Sequence, residues 1–91
     1  MRAADLEQVT AFHRDVMRHG MLAAIERRDG ELGAVLQGLA ALGLEDAARH
    51  LRAVAAELDR QDPENRPVID IAAEDGYLLD EESIAAAARR A

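Results

Sequence analysis

The stretch ELGAVLQGLAALGLEDAARHLRAVAAELDR, residues 31 to 60, decides the fold. In its first half Leu32, Val35, Leu36, Leu39 and Leu42 recur at steps of three and four, the spacing that gathers side chains on one face of an α-helix. Gly33 and Gly38 each weaken that helix by about 1 kcal/mol relative to alanine, and Gly43 is its natural terminator. In the second half Ala47, Leu51, Val54, Ala55 and Leu58 make another stripe, with Arg49, Arg52, Glu57 and Arg60 mostly elsewhere. Two helices joined by so short a connection, each with an apolar face to bury, are expected to form a helical hairpin. Ala34, Gly38 and Ala41 form a row of small residues on its first helix. Such a row lets another backbone lie close, and two partners suit it: the second helix of the hairpin, or a second copy of the chain.

On the N-terminal side, residues 4–19 read as an amphipathic helix carrying Leu6, Val9, Phe12 or His13, Val16 and Met17, with Asp5 as its cap. His19-Gly20 is a good stop, and Met21, Leu22 and Ile25 begin a short second helix that ends near Arg27-Arg28. On the C-terminal side, RQDPENRP at 60–67 is polar and holds both prolines. Pro67 suits the first position of a helix over VIDIAAED, which Gly76 would end. Asp80 caps a last helix, with Glu81 and Glu82 in its first turn and Arg89 and Arg90 in its last, as the helix dipole prefers. The expectation is an all-α protein: a small helical bundle of four to five short helices built around the hairpin. Residues 1–60 hold the N-terminal helices and the hairpin, 61–67 a linker, and 68–91 a helix-corner-helix that packs with the rest as one domain.

Ninety-one residues allow one domain with a thin core. Of the 49% of residues that are apolar, 20 are alanine, which leaves 25 larger side chains to exclude water. The net charge is −7, and the acidity grows along the chain: five Arg against four acids in 1–28, three against six in 29–60, three against eight in 61–91. Nucleic acid and anionic membrane both ask for clustered cations, so neither is expected as a partner. The absence of cysteine excludes disulfides and thiolate-ligated metals. The N-terminus has no apolar signal region and no stretch is long and apolar enough for a membrane span, which makes the cytoplasm the default location.

Chemistry is thinly represented. Asp46 and His50 stand four apart and can meet on one helix face, which is half of a metal site or a surface ion pair, the ion pair being the ordinary outcome. His13 borders an apolar face and reads as packing; His19 reads as a helix end. Glu74-Asp75 and Asp80-Glu81-Glu82 are neighbours along a helix and do not face one another as an acid and base would. The lone Ser83 and Thr10 have no base beside them in sequence. No catalytic residue, metal site or cofactor is expected.

The run VIDIAAEDGYLLDEESIAAA, residues 68–87, resembles the end of the nitrogen-fixation-associated ("Nif-eleven") leader domain of ribosomally made peptide precursors. Ile71, Ala72, Gly76, Tyr77, Leu79, Glu82 and Ile84 stand in the matching places. LEQVTAFHRDVMRHGMLAAI, residues 6–25, is similar to that family's opening, with Leu6, Phe12, Val16, Leu22 and Ile25 at its apolar positions. The chain departs from the family where His19-Gly20 replaces an aspartate-proline break, and the hairpin at 31–60 has no counterpart, so about half the chain is covered. Neither a double-glycine cleavage site nor a Cys-, Ser- or Thr-rich cargo is expected, nor is thioether crosslinking of this chain. The resemblance implies a small helical domain whose work is to be bound by a partner protein. The resulting expectation is a non-enzymatic protein-binding domain, leader-like or adaptor, that recognises its partner through Phe12, Val16, Leu22, Ile71, Tyr77 and Leu79. The alternative is a homodimeric structural or regulatory subunit that assembles through the 31–60 hairpin.

Overall fold

The computed structural model describes residues 2–28, 30–60 and 64–91. They form six helices and no strand: α1 Ala3–His19, α2 Met21–Glu26, α3 Leu32–Ala41, α4 Glu45–Asp59, α5 Arg66–Gly76 and α6 Glu81–Arg90. The all-α expectation holds, with six helices in place of four to five. Gly20 accounts for one of the divisions. At φ 86° and ψ 165° its backbone takes a conformation closed to side chains with a Cβ, so one residue suffices to separate α1 from α2. Gly43, at φ 75°, turns the chain between α3 and α4 as its position suggested.

Packing shifts the centre of the fold from where the sequence put it. The α3–α4 hairpin forms, but the most extensive contact is between α1 and α3. A Cβ on Gly38 would lie 2.6 Å from the Asp5 carbonyl oxygen and 3.0 Å from Val9 Cγ2. Gly38, in the middle of the small-residue row, therefore receives α1. Asp5 itself sits one turn inside α1, where its carboxylate accepts from the Arg2 N–H at 3.1 Å. Phe12, Met21, Leu39 and Leu51, from four different helices, are fully buried at the centre, each stabilising the fold by roughly 2–3 kcal/mol. Arg28 bonds Asp15 and lies over the Phe12 ring, 5.6 Å from its centroid, which closes the turn after α2 back onto α1.

The C-terminal helices pack on this base, α5 against α4 and α2, α6 against α1. The 61–67 linker lies partly outside the described residues; α5 begins at Arg66, so Pro67 holds its second position, where a missing N–H is still no loss. The Cα radius of gyration is 12.7 Å, close to the ~12 Å of a compact chain of this length.

Candidate functional site

Helix α5 is apolar on two sides, and that singles it out. Its inner row, Ile69, Ala73 and Gly76, faces the bundle: Ala73 is buried, the other two half-buried. Its outer row, Val68, Ile71, Ala72 and Asp75, is spaced i, i+3, i+4, i+7 and exposed throughout, with Val68 and Ile71 each 64% exposed. Beyond the helix, Leu78 is 84% exposed. Leu78 and Leu79 join Leu44 and Ala47 in lining a surface recess at the start of α4, with Glu45 and Asp46 beside them and Gly76 marking where α5 enters it.

Polar contacts fix the inner side. Glu74 Oε1 accepts from the Met21 N–H at 2.7 Å, so a side chain of α5 caps the first turn of α2, which lacks a side-chain cap of its own. His50 Nε2 donates to the Ala73 carbonyl at 2.9 Å, and Arg66 pairs with Glu26 at 2.5 Å. Gly76 belongs to this set. A Cβ there would lie 2.2 Å from His50 Cε1, so glycine is required for the imidazole to reach the helix. The helix does end at Gly76, but without a left-handed φ; the close approach of His50 is what requires glycine there.

The corner follows. Tyr77 Oη lies 2.6 Å from His13 Nδ1, and the two rings stack with centroids 5.8 Å apart and planes 21° from parallel. His13 is 4% exposed. Burial, with a smaller contribution from the Glu74 charge, pushes the Tyr77 phenol above its ordinary pKa, which keeps the O–H available to donate. Asp80 then caps α6 as expected: Ser83 N–H donates to Oδ1 at 2.6 Å, and Asp80 N–H donates to Ser83 Oγ at 3.0 Å. The bonds from Ser83 hold the Asp80 carboxyl below its ordinary pKa.

The sequence-derived candidates separate on this frame. Phe12, Val16 and Leu22 lie in the core, closed to a partner while the fold holds, because each is on the α1 or α2 face that packs inward. Tyr77 and Leu79 are half-buried against the core, and Tyr77 is held by His13. Ile71 alone of the six is open. Val68 and Leu78 were missed, although a signal existed: five apolar residues between 68 and 73 are more than one helix face can hold. Asp46 turns to Arg49, 3.2 Å away, and His50 to Ala73, so the two do not make a joint site. Among the described residues no group of three or more His, Asp or Glu could hold a metal ion, and Ser83 Oγ is engaged with Asp80 backbone atoms. No helix among them is long and apolar enough to cross a membrane.

Comparison of the chain with protein-family models, with curated proteins and with solved structures gives no match.

Proposed function

We propose that this chain is a small non-enzymatic protein-binding domain, a leader-like or adaptor element recognised by a partner protein. One observation carries the reading. Four large apolar side chains stand exposed among the described residues, and three of them, Val68, Ile71 and Leu78, fall within eleven residues on α5 and the segment after it. A helix whose apolar residues extend well beyond one face is ordinarily covered on more than one side. The bundle covers only one side of α5, and a partner is what covers the other. Rigid inner contacts suit this role, because a helix already held in place loses little freedom when its outer face is covered.

Affinity capture from the source cell tests the proposal with three baits: wild type, Val68→Ser with Ile71→Ser, and Met17→Ser. Met17 is the fourth exposed apolar side chain, 62% exposed, and belongs to α1 and not to α5 or the segment after it. The expected outcome is a protein retained by wild type and Met17→Ser and lost by the double variant. The same proteins on all three baits would refute the assignment of the face.

A further inference from the structure

The outer face of α5 has a charge as well as a shape, and the charge names the class of partner. Between Arg66 and Arg89 the chain holds six carboxylates, Asp70, Glu74, Asp75, Asp80, Glu81 and Glu82, and no Lys, Arg or His. Glu74 is spent on the α2 cap and Asp80 on the α6 cap. The others are exposed. Arg66, the cation at the head of α5, is paired with Glu26. At the far end the recess containing Leu78 adds Glu45 and Asp46. The apolar strip of Val68, Ile71 and Ala72 thus carries Asp75 within its own row and runs toward further acids, while Asp70 turns to the α2 side beside Arg66 and His19.

We infer that this face takes a basic amphipathic helix of a partner protein, with aliphatic side chains laid along Val68 and Ile71 and arginine or lysine reaching Asp75 and the acids of the recess. The inference rests on the protein-binding reading above and adds the partner's chemistry to it. Complementary charge suppresses wrong partners and speeds encounter, while the apolar strip supplies the buried contact. A second copy of this chain is a poor occupant. A two-fold contact through the strip would bring the Asp75 carboxylates of two copies together, on chains that each carry −7. From Val68 to Gly76 the helix is about 12 Å long, room for roughly two turns of a facing helix.

The test is binding of two synthetic helical peptides of about 15 residues, measured by fluorescence anisotropy. They share one leucine face; one carries arginine on its flanks and the other glutamate. The arginine peptide is expected to bind the wild-type chain and the glutamate peptide not to. Val68→Ser with Ile71→Ser should abolish binding. Asp75→Asn with Glu45→Gln should weaken it about three- to tenfold, as two exposed charge pairs allow, and added salt should shrink that difference. Equal binding of both peptides, or binding of the arginine peptide that survives Val68→Ser with Ile71→Ser, overturns the inference. So does a wild-type dimer that the same double variant converts to monomer. If neither peptide binds while cellular capture still depends on Val68 and Ile71, the basic partner is wrong and the docking face stands.

Discussion

Tyr77 is the residue where fold and titration meet. It is the only tyrosine, so phenolate absorbance reports it alone. Its pKa is raised in the folded chain, so the folded state holds the phenolic proton more tightly than the unfolded one. The stability this contributes is fully present below the ordinary tyrosine value of about 10 and is lost as pH rises toward the folded value. The chain should therefore lose stability above about pH 10, and Tyr77→Phe should flatten that slope. Urea midpoints across pH 8 to about 12 check it; an unchanged slope in the variant would remove Tyr77 as its source. Asp15 and Asp80 titrate in the opposite sense. The Arg28 bond and the Ser83 bonds hold them below the ordinary carboxyl range, so the stability they contribute is present above about pH 4 and falls as pH drops through their lowered values. Gly76 gives a third test at this scale. Gly76→Ala should destabilise by about 1–3 kcal/mol through the clash with His50, and much less in a His50→Ala background, where the ring it meets is gone.

At the scale of elements, the two glycines inside α3 make opposite predictions. A Cβ at Gly33 meets nothing within 4 Å, so Gly33→Ala should stabilise by up to about 1 kcal/mol from helix propensity. At Gly38 the obstacle is the backbone of Asp5, which cannot swing aside, so Gly38→Ala should lose about 1–3 kcal/mol despite the same propensity gain. Thermal unfolding of the pair separates α1 packing from simple helix stiffening. Both glycines look alike in the sequence, because spacing tells which residues share a face and not which helix arrives there. The same limit explains Phe12, Val16 and Leu22: the three- and four-residue steps identified them as an apolar face, and only the packing of α1 and α2 assigns that face to the core. What was legible was local. The Asp80 cap, the Gly20 and Gly43 breaks and the α3 and α4 stripes each depend on residues within a turn or two. The His13–Tyr77 pair joins residues 64 apart, and nothing in either one's neighbourhood announces the other.

For the whole molecule, the central claim is that α5 is divided between two tasks. Its inner side, through Glu74, Ala73, Gly76 and the corner at Tyr77, fastens the C-terminal helices to the bundle. Its outer side, Val68 and Ile71, is exposed, contributes little to folding and is the face we propose for a partner. The two residues of the glycine-tyrosine corner, Gly76 and Tyr77, serve the fold through His50 and His13. The most direct test is urea unfolding of Val68→Ser with Ile71→Ser beside Tyr77→Phe at neutral pH. The double variant should unfold at the wild-type midpoint, and Tyr77→Phe should unfold earlier by about 1 kcal/mol for the lost bond to His13. The reverse order, with the serine pair destabilised and Tyr77→Phe unchanged, would make the outer face part of the core and leave α5 no face to offer a partner.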